Sequence, residues 1–348
     1  MKASPIIMAL GVLSLAVSTA GASLNMAAGA ATSHPTKRVT PPPSKLPVIE
    51  TQPTSTTVAL GLTATLNATA KGSPQVQWYS SIQGSDIWTP ILGGTQSQLE
   101  FAVDAETNSE QYEAVFTNRY GSTTSKPVSV MAYQTMPTWS GYMATGEMNT
   151  VFTNASATWT VPTVTCSPAS NTGALQWVGI DGYRSITVEQ VGSETSCVNG
   201  LPQYSAWFEM WGDLSLNNGF WINYPGIVKP GDKMSGSVSV RGGTWTLSLE
   251  DVTQNWWYYK TVVSPNPVPQ QVSAEAIVER PLVCAGVGAC VNGTMAELSP
   301  VIFTSTNFVS SDPSGVSVTP AIMDLLNSPV LTPSLLSPTG AFSVTETQ

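Results

Sequence analysis

The sequence predicts an all-β protein built from two successive sandwiches. Three observations carry this. Short runs alternate apolar and polar residues with period two, as half-buried strands do. Turn formers are plentiful, with 28 Gly and 26 Pro in 348 residues. Long amphipathic stretches of helical period are missing, and only Ala321–Leu326 reads as a brief helical turn. A chain of this length is expected to hold two or three domains.

Residues 1–22 read as a secretory signal peptide. Lys2 gives the positive start, Ile6 to Val17 the apolar stretch, and Ala20-Gly21-Ala22 a small-residue cleavage site. The apolar run is shorter than the roughly 20 residues that span a bilayer, which argues against a membrane anchor. The mature chain is therefore expected to be secreted and free of the membrane. Residues 23–48 are rich in Pro, Ser and Thr and include Pro41-Pro42-Pro43; they read as an extended linker or pro-segment.

Residues 49–133 carry the first set of strands. Leu62, Ala64, Leu66 and Ala68 alternate with polar residues. So do Val76 with Trp78, and Leu99, Phe101 and Val103. The segment resembles an immunoglobulin-like sandwich, with Trp78 as the buried Trp of the third strand and Tyr112 as the tyrosine corner. The framework cysteines are absent. Ala114 stands at the second position, and Ala64 or Leu66 at the first. Such a sandwich must hold by packing alone. No catalytic cluster is visible here, and a spacer or adhesion role is expected.

Residues 134–348 form a second, larger β region. Ala157, Trp159 and Val161 alternate, as do Trp245, Leu247 and Leu249. About 215 residues of closely spaced strands suit one large two-sheet antiparallel sandwich.

Composition removes several chemistries. The single His is His34, in the Pro/Ser/Thr-rich segment. That argues against a His-dependent triad, a His-ligated zinc site or a His proton shuttle. Net charge is -9, so nucleic acid is not an expected partner. The four cysteines, Cys166, Cys197, Cys284 and Cys290, allow three pairings. The favoured one is Cys166–Cys197 with Cys284–Cys290, suited to an exported protein. A four-cysteine metal site lacks close CxxC pairs, so no metal and no cofactor are expected.

Carboxylates remain for acid–base work. Three runs stand out: Trp177 to Gly192, Tyr204 to Trp211, and Ser273 to Glu279. Read as strands, they put Trp207, Glu209 and Trp211 on one face and Glu275, Ile277 and Glu279 on another, with Gln190 opposite in sense to Glu189. A carboxylate among Trp side chains is costly to bury, and that cost is more often met at a site than in a plain core.

These runs resemble the glutamic peptidases, or eqolisins. Trp139-Ser140-Gly141-Tyr142, Trp159-Thr160-Val161-Pro162, Trp177 to Gly182, Glu189-Gln190-Val191-Gly192, Tyr204 to Glu209, Pro230-Gly231-Asp232 and Ala274-Glu275-Ala276-Ile277-Val278-Glu279 follow the family's motifs in order. Two positions depart from it. Ala276 stands where the family usually has Trp, and Glu-Gln-Val-Gly where some members have Leu-Gln-Thr-Gly. The resemblance implies a concanavalin-like sandwich that hydrolyses polypeptides as a monomer in an acidic extracellular setting. Glu275 would be the general base and Gln190 the donor to the oxyanion. Trp177, Asp181, Trp207, Glu209 and Trp211 would line the substrate site or orient it. The residues also admit a two-carboxylate glycosidase using Glu209 and Glu275, or a carbohydrate-binding or adhesion protein without catalysis.

Overall fold

The computed structural model describes residues 45–72, 74–211, 220–222, 227–284, 290–325 and 328–346. Residues 1–22, read as a signal peptide, and nearly all of the Pro/Ser/Thr-rich segment lie outside the described residues. So do the side chains of Trp211, Cys284 and Cys290. Among the described residues the chain is all-β, with two short 3-10 turns.

The first sandwich packs Ala64, Leu66, Leu99, Tyr112 and Phe116 around Trp78. Trp78 lies directly across from Ala114 in the pairing of Gln75–Ile82 with Glu110–Asn118. Its indole Nε1 donates to Gln96 O at 2.9 Å. The small Ala114 thus faces the ring that a cystine would otherwise adjoin, and packing alone closes the core. Tyr112 stacks on Phe101 at 4.8 Å. Its hydroxyl donates to the Glu110 carboxylate at 2.8 Å, where a tyrosine corner would reach a backbone acceptor. Leu62 sits in a turn ahead of its strand and is exposed, outside the buried face its spacing suggested.

One strand, Val128–Met136, belongs to both sandwiches. Val130–Tyr133 run parallel to Thr56–Ala59, and Gln134–Met136 run parallel to Ala321–Met323. Ala321 is therefore paired on both sides, with Gln134 and with Gly141. Where a helical turn is expected over Ala321–Leu326, residues 321–325 belong to the strand Val316–Leu325, and Leu326 lies outside the described residues. Mild helical propensity does not outweigh pairing with Gln134–Met136 on one side and, further along, with residues 328–331.

The second sandwich has two antiparallel sheets. The first runs in the order Val316–Leu325, Trp139–Gly146, Ser273–Glu279, Thr172–Asp181, Val188–Val198, Leu201–Trp211. The second runs Phe342–Glu346, Val301–Ser310, Phe152–Thr160, Lys233–Arg241, Thr244–Asp251, Trp256–Val263. Alternate residues of both sheets meet in one core that includes Trp159, Val178, Phe208, Leu247, Ala276 and Phe303. A polar network crosses it: Trp159 Nε1 donates to Ser193 Oγ at 2.9 Å, and Ser193 Oγ donates to Gln176 Oε1 at 3.0 Å. The Cys166–Cys197 disulfide is present. Cys284 and Cys290 stand opposite each other in a two-stranded ribbon.

Candidate active site

The outward face of the first sheet carries the chemistry. Gly179 is the pivot of its register, pairing with Glu275 on one side and Gln190 on the other. Glu209 pairs with Gln190 in turn. Residues in register share a face, so Glu275, Gln190 and Glu209 project together in one row. Gly179 leaves a gap between the first two. A Cβ there would lie 2.7 Å from Glu189 O and 2.9 Å from Gln190 Cβ. The gap spans two strand spacings, roughly 9.5 Å between the Cα atoms of Glu275 and Gln190.

The next row is aromatic. Ile277, Trp177, Gly192 and Trp207 are in register. A Cβ on Gly192 would meet Trp207 Cζ2 at 2.7 Å and Trp177 Cβ at 2.8 Å, so glycine lets the two indoles close up. Met143, Trp177, Trp207, Ile277 and Ala321 form an apolar cluster on this face, with Trp139 and Met136 packed against it. In the third row Trp139, Glu279, Leu175 and Glu194 align. Trp177 Nε1 donates to Glu279 Oε2 at 2.8 Å.

The row of acids is electrostatically tense. Glu275 is 0% exposed, and neither carboxylate oxygen has a hydrogen-bond partner of good geometry. Burial drives its pKa well above the ordinary carboxylate range, and the nearby charges of Asp181 and Glu189 push the same way. Burial raises Glu209 to about 7, against the opposing hydrogen bond from Gln190. Glu279 also rises to about 7 through burial, with indole donors pulling it back. Gln190 is 6% exposed; its Nε2 donates to Glu209 Oε2 at 2.7 Å, and its Oε1 is buried without a partner. Among the described residues no group of His, Cys, Asp and Glu is placed to hold a metal ion.

A family model described as "Peptidase A4 family" matches residues 137–345, the whole of this sandwich. The chain belongs to the peptidase A4 family. It is a glutamic-type peptidase. Scytalido-glutamic peptidase bound to a transition-state analogue inhibitor is similar in structure, with a TM-score of 0.51 and 24% identity over 61% of this chain and 98% of that one. The Ig1-2 module of the Drosophila receptor protein tyrosine phosphatase DLAR matches with a TM-score of 0.22 and 20% identity, over 28% of this chain and 50% of that one. Endoglucanase C of Cellulomonas fimi is 37% identical over 93 residues, which are 26% of this chain and 8% of that protein.

The peptidase brings most of the residues singled out in the sequence onto one face. Glu275, Gln190, Glu209, Trp177 and Trp207 share it; the side chain of Trp211 lies outside the described residues. Asp181 is fully buried and turned to the backbone, accepting from Gln271 N at 2.7 Å and Val272 N at 2.8 Å. It thereby pins the segment entering the Glu275 strand. Glu194 and Glu279 received no role in the sequence reading. Each lies four residues beyond Gln190 or Glu275, so the period of two already put them on the same face. Ala276 faces the inter-sheet core between Tyr142 and Val178, away from the site face.

Proposed function

We propose that this peptidase cleaves polypeptides in acid, with Glu275 and Gln190 acting on one water. The carboxylate of Glu275 takes a proton from the water as its oxygen adds to the scissile carbonyl carbon. Gln190 Nε2–H donates to the oxyanion that forms. Glu275 then returns the proton to the amide nitrogen as the C–N bond breaks, leaving a carboxylic acid and an amine. The observation that supports this reading is the register that sets Glu275 and Gln190 on one face, on either side of Gly179, which has no side chain to stand between them. A water there would also donate to the Glu275 oxygens and so bring its pKa back down toward the acid range. Because Glu275 and Gln190 are buried, neighbouring segments must open to admit a peptide.

A two-carboxylate glycosidase fits this geometry less well. Glu209 and Glu275 stand three strand spacings apart, roughly 14 Å at Cα, with Gln190 between them. Glycosidases place their carboxyl groups about 5–9.5 Å apart. The signal peptide and the Cys166–Cys197 disulfide support a secreted enzyme, and we take it to act as a monomer.

The test is cleavage of a denatured protein at acid pH with pepstatin present. Wild type cleaves. Gln190→Ala lowers kcat by about 10²–10³, and Glu275→Gln lowers it at least as far. Cleavage that survives both substitutions would overturn the assignment.

A further inference from the structure

The far side of the peptidase sandwich carries a second feature. Trp257 and Tyr259 lie on the strand Trp256–Val263, at the end of the second sheet, and point away from the core. Trp257 is 68% exposed and Tyr259 55% exposed, although the two rings stack at 5.4 Å with planes 11° apart. Their neighbours Trp256 and Tyr258 face inward and pack on the core. Two large rings left in water on a regular strand need a reason, since each has roughly 150–250 Å² to bury.

Glu250 stands across from Trp257, and the row beside it, that of Tyr259, is uniform. Tyr259 is in register with Ser248, Ser237, Ser156 and Asn307 across five strands. That row is uncharged from end to end. Thr246 and Ser239 continue it in the next row. Hydroxyls and amides both donate and accept, and they repeat here at the strand spacing.

We propose that this face binds an uncharged polysaccharide. A sugar ring has apolar C–H faces that stack on aromatic planes and equatorial hydroxyls that need donors and acceptors beside them. Trp257 and Tyr259 supply the planes, and the Ser/Asn row supplies the partners. An ionic ligand finds no charge in the Tyr259 row. A second copy of the chain would need about 800 Å² of each partner, well beyond what two rings offer. The face lies across the sandwich core from the Glu275 row, so a bound polymer leaves the site face open to substrate.

The experiment incubates the full chain with microcrystalline cellulose and, separately, with chitin, and measures the protein left in solution. Retention on at least one polymer is expected. Trp257→Ala and Tyr259→Ala should each weaken it by about tenfold or more, with peptidase activity on soluble denatured protein unchanged. That activity also reports that the variants fold, and it reads the site-face assignment separately. No retention on either polymer would overturn the proposal, as would equal retention by the double variant. A wild-type dimer in sedimentation that Trp257→Ala dissociates would assign the rings to a second copy and overturn it as well.

Discussion

Glu209 is the residue whose ionisation matters most to the resting site. Its carboxylate holds Gln190 Nε2 at 2.7 Å, and its pKa of about 7 keeps it protonated in acid. A neutral carboxyl is the weaker acceptor, so acid frees Gln190 for the row it shares with Glu275. Above about pH 7 the ionised Glu209 holds the amide more tightly, which would make the proposed activity fall toward neutrality. Glu209→Gln should therefore leave the acid limb of kcat/KM in place and move the neutral limb up by about one pH unit. A neutral limb that stays where it is in a pH series from 2 to 8 would refute this. Glu275 and Gln190, the pair proposed to react, were singled out by period two and by motif order. Gly179 as the pivot between them was not, because register is a property of three strands that come together only on folding.

Two strands show how tertiary pairing redirects local signals. Ala276 stands where the resemblance leads one to expect Trp, and the sequence left open whether that reshapes the cleft or the packing behind Glu275. The fold decides for packing, because residues 274, 276 and 278 face the inter-sheet core while Glu275 and Ile277 face the site. The core has closed around the small side chain, which is 0% exposed. Ala276→Trp should thus overpack it and lower stability by about 1–3 kcal/mol or more, read as a fall in Tm. A neutral or raised Tm would show that the core keeps a space for the ring. The strand Val128–Met136 is the second case. Its last residue packs into the apolar cluster beside Trp177, while its first residues build the immunoglobulin-like core. Composition alone places a boundary near residue 134, within what is one continuous strand.

At the scale of the molecule, buried acids set the response to pH. Glu209 and Glu279 titrate near 7 in the folded chain against 4.5 when free, and burial also raises Asp181, Glu194 and Glu275. Below about pH 4.5 Glu209 and Glu279 are protonated in both states and cost nothing. Between about 4.5 and 7 these two groups ionise in the unfolded chain and keep their protons in the folded one, so stability falls as pH rises through that window. Tm should be lower at pH 8 than at pH 4 by at least about 5 °C. A Tm that rises over that range would contradict the burial of this row. The low charge acts in the same direction. The chain carries 13 Lys+Arg and one His, so full protonation takes it to at most about +14, mild self-repulsion for 348 residues. The peptidase sandwich holds only 6 of those bases against 15 acids.

The sequence by itself determined the class of fold and the family, and it singled out Glu275 and Gln190 as the pair proposed to react. Those follow from local period, composition and the order of motifs, all of which are written along the chain. It also made Cys166–Cys197 a natural pair. Only the tertiary structure decided what each residue faces across a strand gap: Gly179 between Glu275 and Gln190, Glu209 holding the amide, Asp181 turned to backbone, Ala276 in the core, and Trp257 beside a row of serines. The physical reason is that a strand's own period fixes which residues share a face, whereas pairing between strands distant in sequence fixes which of them meet.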